Sequence, residues 1–339
     1  MIPVGVFCVA AAILAVILFF PYSIPDHGSS VEIWVEPGMT PGEIAHRLHD
    51  HGVLRNESLF LLSAKIMRVS RRLQAGQYEF SGLQSNFIVL RALYRGLSIL
   101  HQVTFPEGSR ITRMARILHQ TFQMDSARFV DLCGDKSMIR HVGIHAPGLE
   151  GYLYPDTYRF NFNITPEQVI GRMVSRFHEV FHDSLRSRAD SMGMSVHQVI
   201  TLASIVEGEA ILDHERADIA ALYLNRLNRR MLLQADPTIQ YIIPDGPRRL
   251  LHKDLEIESP YNTYRHLGLP PGPVNNPGRA SILAVLYPSS VNYLYMVANG
   301  DGSHTFSSNL EDHNRAKRRF NRIRRQISLQ KKRSQSSNG

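Results

Sequence analysis

The chain has 339 residues, 43% of them hydrophobic and 20% charged, which excludes wholesale disorder and leaves material for roughly two to three domains. Its two cysteines exclude a disulfide scaffold and a Cys-rich zinc site. The net charge of +8 belongs to the end of the chain, where ten Lys and Arg follow from Arg315 onward without one acid; the rest is close to neutral, so no basic binding domain is implied.

Residues Val4 to Phe20 form a run of 17 without a charged side chain, bracketed by Pro3 and Pro21. As a helix it would be about 26 Å long, enough to span a bilayer. It lacks the basic start and the small-residue cleavage site of a signal peptide, so an uncleaved anchor over residues 1–24 is expected. No Lys or Arg precedes the run, so charge bias leaves its orientation open.

After a Pro/Gly/Ser connector, Val31 to Val35 alternates and predicts a strand. Pro37-Gly38 turns the chain, and Thr40-Pro41-Gly42-Glu43 is a capping box opening a helix with Ile44, Ala45 and Leu48 on one face. The same order returns 70 residues later. Leu100 to Phe105 is strand-like, Pro106-Glu107-Gly108 turns, and Ile111, Met114, Ala115 and Leu118 mark a helix. Gly38/Gly108, Ala45/Ala115 and Leu48/Leu118 fall in register, which predicts a βα repeat over 31–120. Two ordinary βα units alike by coincidence are the alternative. Between the copies, Leu73 to Phe80 predicts a strand, and Ser85 or Asn86 caps a helix through Leu93. Residues 121–147 carry no clear signal.

Thr165-Pro166-Glu167 opens a long helix with Val169, Ile170, Met173, Val174 and Phe177 at helical spacing. Ser195 to Val206 is a second, and Asp213 caps a third whose apolar stripe is Ala217, Ala220, Ala221, Leu224 and Leu227. Long loops rich in Pro, Gly, Asn and Tyr fill 234–310; such loops are functional or disordered, and their aromatic content argues for order. A solvated helix is expected from Leu310 to about Gln330. The fold class is α+β: an N-terminal membrane helix, a small βα subdomain and a mainly helical domain with long ordered loops.

The helix Ser195–Val206 is apolar nearly all round, as a buried helix is, and runs straight into Glu207-Gly208-Glu209. A helix C-terminus disfavours negative charge and burial raises a carboxyl pKa, the setting of a general acid. A surface loop with two solvated glutamates is the competing reading. On an unbroken helix, residues two apart point about 200° from each other, so both acids could face one bond only if Gly208 breaks the helix. Gln234–Thr238, Ser259–Tyr264, Gly268–Pro273 and Asp301–Phe306 could complete a site. There is no P-loop, no GxGxxG after a strand and no GxSxG elbow. His46, His49 and His51 lack the companions of a metal set, so no metal and no cofactor are expected.

These motifs together resemble the endolytic murein transglycosylases, the YceG-like family. The likeness is carried by Leu149 to Tyr158 (LEGYLYPDTY), Ala203 to Glu209 (ASIVEGE), Asn225-Arg226-Leu227, Leu233 to Thr238, Ser259 to Gly278 (SPYNTYRHLGLPPGPVNNPG), Asp301 to Phe306 and His313-Asn314. It implies a single-pass protein of the inner (cytoplasmic) membrane with its bulk outside the cytoplasm, a LysM-like subdomain over 31–120, a catalytic domain over 145–314 and a basic tail over 315–339. It implies endolytic cutting of nascent, uncrosslinked glycan strands at the MurNAc–GlcNAc β-1,4 bond, leaving 1,6-anhydroMurNAc ends and terminating polymerisation. The partners would be peptidoglycan glycan strands, the membrane and peptidoglycan synthases, with no nucleic acid. The family's catalytic residue is the second Glu of V-E-x-E, which is Glu209 here, with Glu207 in support. Residue chemistry and motif membership together make Gln234, Asp236, Tyr261, Asn262 and His304 candidate substrate contacts. Gly208 stands where many members have Lys, and Ala235 where Ser or Thr is common; neither removes a group the chemistry requires. The rivals are a non-catalytic peptidoglycan-binding anchor and a hydrolytic muramidase.

Overall fold

A computed structural model describes residues 4–24, 30–244 and 246–322. The chain divides into two compact units, one of residues 1–103 with 158–165, the other of 104–157 with 166–339.

The first unit opens with helix α1 (Val4–Phe19). It stops one residue short of the apolar run, where Pro21 disfavours helical backbone at Phe20; in its last turn Asn86 Nδ2 donates to the Ile17 carbonyl at 2.9 Å, and the Phe19 ring sits 4.9 Å from Phe87. Among the described residues no helix is long and apolar enough to cross a membrane. Strand β1 (Tyr22–Ser23) and then β2 (Val31–Val35) follow, with α2 (Pro41–Asp50), α3 (Glu57–Ile66) and β3 (Gly76–Phe80) after them. β2 and β3 pair antiparallel from Val31↔Phe80 to Val35↔Gly76. The capping box of α2 forms in full, Thr40 N–H donating to Glu43 at 2.6 Å and Glu43 N–H to Thr40 Oγ1 at 3.3 Å. α3, capped by Asn56, has no counterpart among the sequence expectations. β4 (Leu83–Gln84) pairs with β1; α4 (Asn86–Arg95) takes Ser85 as its cap and ends on left-handed Gly96. Ile33, Val35, Leu48, Phe60, Tyr78, Leu90 and Leu93 form the core. β5 (Leu100–Thr104) then leads out.

The second unit begins with α5 (Ile111–Phe122), α6 (Ser126–Gly134) and α7 (Lys136–His141). Asp125 and Asp135 cap the last two through paired backbone N–H bonds. The two strand–turn–helix segments fall on either side of the unit boundary at residue 103: α2 buries its face in the first unit, while Met114, Ala115 and Leu118 of α5 are buried in the second, which packs α5 against α6. β6 (Thr157–Asn161), almost all of it in the first unit, pairs there with β5. The long helices follow: α8 (Pro166–Val180), α9 (Asp183–Ser191), α10 (Val196–Glu209), α11 (Arg216–Asn228), α12 (Asp236–Ile242) and α13 (Arg279–Leu286). α10 is the axis of this unit, packed by α11, α12 and α13 and buried without interruption from Val199 to Val206. β7 (Tyr295–Ala298) and β8 (His304–Ser307) form an antiparallel hairpin, and 310–322 is helical. The rest of the basic tail lies outside the described residues.

The long loops are held by buried side-chain amides in place of ladders. Asn276 accepts from Gly151 N–H at 2.8 Å and Leu153 N–H at 3.0 Å while donating to the Ser109 carbonyl at 2.9 Å and Glu150 Oε1 at 2.8 Å. The LEGYLYPDTY segment is fastened through this one residue. Gly151, with φ +88°, could not carry a side chain there, since a Cβ would lie 2.4 Å from Pro273 Cγ.

Candidate active site

α10 starts on its own capping box, Ser195 with Gln198, and runs unbroken through Gly208 to Glu209. Glu207 and Glu209 therefore face opposite ways, and the structure gives each a different task.

Glu207 turns toward α13. It accepts from Gly278 N–H at 3.0 Å and Ser281 Oγ at 2.8 Å, and pairs with Arg216 at 3.3 Å, both side chains under 10% exposed. It is a packing acid that joins α10, α11 and α13. Its neighbour Glu107 is pushed above the ordinary carboxylate range by burial and by the Glu207 charge.

Glu209 faces a cleft of about 460 Å³ between α10, α11, α12, the β7–β8 hairpin and the helix 310–322. Its carboxyl accepts from the Tyr223 hydroxyl at 3.0 Å. Burial and then the like charge of Asp236 push its pKa up to about 7, against the opposing pull of the Tyr223 hydroxyl, the Asp236 backbone N–H and Arg226. A carboxyl raised in this way can still carry a proton near neutral pH, which suits a general acid.

Asp236 and Gln234 enter the same cleft from the start of α12. The Tyr264 hydroxyl donates to Asp236 Oδ1 at 2.5 Å. Gln234 adopts a left-handed φ of 49°, fixed by its N–H bond to the Thr263 carbonyl at 3.0 Å. His304, at the start of β8, lines the cleft from the hairpin. Glu215 holds it at two points, Nδ1 at 2.7 Å and backbone N–H at 2.9 Å.

The other two candidates are elsewhere. Asn262 is wholly buried, donating to the Leu255 and Ile257 carbonyls and accepting from Tyr264 N–H; with its amide spent on the loop it presents nothing to a substrate. Tyr261 is not among the cleft's lining residues and packs its ring 4.9 Å from Tyr241. Asp156, the acid of the LEGYLYPDTY segment, is bound by Arg176 Nε at 2.8 Å and does not line the cleft.

Sequence reasoning missed Tyr223, Glu215 and Tyr295, and held Arg226 and His313 only as motif residues without a place in the site. The buried face of α11 runs through Ile219, Tyr223 and Arg226, also at helical spacing, but an apolar count skips an Arg. Arg226 is inside because it donates to the Leu294 and Leu233 carbonyls at 2.6 Å each, fixing the hairpin and the Gln234 loop to α11. Among the described residues no group of three His, Cys, Asp or Glu could hold a metal ion.

With this geometry in view, the comparisons decide the family. The model of the YceG-like family matches residues 33–319. The chain belongs to the YceG-like family. It is 32% identical over 311 residues to a Bacillus subtilis protein named endolytic murein transglycosylase, covering 87% of this chain and 86% of that one. A Streptococcus pneumoniae protein of the same name is 28% identical over 320 residues, covering 84% of this chain and 57% of its own length. A crystal structure of a yceG-like protein from Listeria monocytogenes superposes with a TM-score of 0.60 at 32% identity, over 85% of this chain and 99% of that one.

Proposed function

We propose that this YceG-like chain is an endolytic murein transglycosylase, a lyase that cuts glycan strands inside the chain at the MurNAc–GlcNAc β-1,4 bond and leaves 1,6-anhydroMurNAc ends. The observation that carries the reading is Glu209: a carboxyl held near neutral pKa in a cleft of polar and aromatic side chains. Protonated, it gives its proton to the leaving glycosidic oxygen. The C6 hydroxyl of MurNAc attacks C1 of the same sugar, so no water is consumed. In the simplest course the newly formed carboxylate takes the hydroxyl proton back, and one acid serves both steps. Gln234, Asp236 and Tyr264 line the cleft within reach of sugar hydroxyls and amides.

The first unit supports a LysM-like, glycan-binding role through its β2–α2–α3–β3 order and antiparallel pairing. The apolar α1 supports attachment to the cytoplasmic membrane with the catalytic unit on its outer face, where nascent uncrosslinked strands leave peptidoglycan synthases and would be terminated. Digestion of uncrosslinked glycan by the full chain tests the function. Mass spectrometry should find anhydro ends; ends heavier by one water would mean a hydrolytic muramidase, and uncut glycan a binding protein.

A further inference from the structure

The Glu215–His304 pair is more than a sugar contact requires. Glu215 ends the short 3-10 turn before α11 and is 5% exposed. Both of its carboxylate oxygens are taken by one residue: Oε1 by the His304 backbone N–H at 2.9 Å, Oε2 by Nδ1 at 2.7 Å. An ionised carboxylate can only accept, so Nδ1 carries the hydrogen. The neutral ring then has its lone pair on Nε2, the edge away from Glu215. The backbone clamp fixes the ring's position, and the carboxylate behind the imidazole fixes its tautomer and orientation. The cleft that this residue lines is the one that holds Glu209. It thus contains a proton donor and, separately, a proton acceptor.

We propose that His304, oriented by Glu215, is the catalytic base that takes the proton from the MurNAc C6 hydroxyl. The inference rests on the transglycosylase reading and divides its proton traffic between two residues. The C6 hydroxyl proton passes to His304 Nε2 as O6 bonds to C1; the C1–O4 bond breaks and O4 takes the proton of Glu209. The products are the anhydro sugar and a free 4-hydroxyl, with Glu209 ionised and the imidazolium paired with Glu215. Proton exchange with solvent resets both.

The test uses the full chain on uncrosslinked glycan, with kcat and KM measured across pH for wild type, His304→Gln, His304→Ala with and without imidazole, and Glu215→Gln. The groups around His304 are Glu215 and Asp301, and the titratable or charged groups sharing its cleft are Glu209, Asp236, Arg226, His313, Lys317, Tyr223, Tyr264 and Tyr295. Wild type should show a bell, with the base lost at acid pH and the acid lost at alkaline pH. His304→Gln should lower kcat about 10²–10⁴-fold, leave KM within about threefold and lose the acid limb while keeping the alkaline one. Imidazole should restore part of the His304→Ala rate. Glu215→Gln, whose amide can donate to Nδ1 and favour the wrong tautomer, should lower kcat at least about 10²-fold. An active wild type whose His304→Gln variant changes KM alone and keeps the acid limb would overturn the base assignment only. A wild type that leaves the glycan uncut would overturn the function beneath it. If both His304 variants fail to melt cooperatively, Glu215→Gln and the wild-type acid limb decide the matter: a wild type with no acid limb, or a Glu215→Gln kcat equal to wild type, refutes the base.

Discussion

Two neighbours pull the proton on Glu209 in opposite directions. The Asp236 charge favours the protonated carboxyl, and the Tyr223 hydroxyl favours the ionised one. Asp236→Asn keeps the Oδ1 acceptor for Tyr264 but removes the charge, so the alkaline limb of kcat/KM should move to lower pH. Tyr223→Phe removes the donor, so the same limb should move to higher pH. Shifts in the same direction would refute this account of the tuning. That a helix apolar on every side must be buried, and that an acid at its end must feel that burial, was legible in the sequence; the choice of Glu209 over Glu207 came from the likeness to the V-E-x-E motif. Tyr223 was not legible, because its role depends on which face of α11 meets α10, and apolar periodicity favoured the Ala217–Leu227 stripe. Asn262 misled for a related reason: an amide in a motif looks the same whether it faces a substrate or staples its own loop.

At the scale of the element, the last turn of α10 shows how one helix end serves three neighbours. About 100° separates successive residues, so Glu207 meets α13, Gly208 meets α12 and Glu209 meets α11. Removing one partner of a buried ion pair costs about 3–5 kcal/mol. Glu207→Gln keeps both hydrogen-bond acceptor contacts, so it should cost about 2–3 kcal/mol by thermal melting while turnover stays within about tenfold. A Glu207→Gln protein as stable as wild type but dead would return Glu207 to the chemistry. Gly208 is set by proximity: a Cβ there would lie 2.7 Å from Pro237 Cβ and Cγ, and a proline ring has nowhere to rotate. Gly208→Ala gains about 1 kcal/mol of helix propensity but overpacks at about 1–3 kcal/mol and displaces the α12 start that carries Asp236. We expect a lower melting temperature and a lower kcat/KM; a more stable, fully active variant would show that α12 adjusts freely. The long helices α8 and α10 were readable from the spacing of their apolar residues. α6 and α7 were not, because their signal is a pair of capping aspartates before short, mixed segments.

At the scale of the whole molecule, two carboxyls among the described residues are held with pKa values far above their usual 4.5: Glu209 at about 7, and Glu150, desolvated beside Asn276, at about 8. A carboxyl whose folded pKa is raised binds its proton more tightly in the folded chain. Its stabilisation is full below the unfolded pKa and is lost as pH rises through the folded one. Stability should therefore fall between pH of about 4.5 and about 8, by about 1–3 kcal/mol for each group. Melting temperatures taken across that window should decline for wild type and less steeply for Glu150→Gln; a flat wild-type profile would contradict the burial of both acids. The partition of the chain was the least legible feature. β2–α2 and β5–α5 share a strand–turn–helix order in the sequence, but α5 buries its stripe against α6 in the second unit, a packing that no local pattern states. The central claim is that Glu209 supplies the proton for a lytic cut. It is tested most directly by comparing wild type with Glu209→Gln on uncrosslinked glycan and identifying the ends by mass spectrometry. The account predicts anhydro ends from wild type and a loss of at least about 10²–10⁴-fold in a variant that still folds and binds strands; near-normal turnover by Glu209→Gln would contradict it.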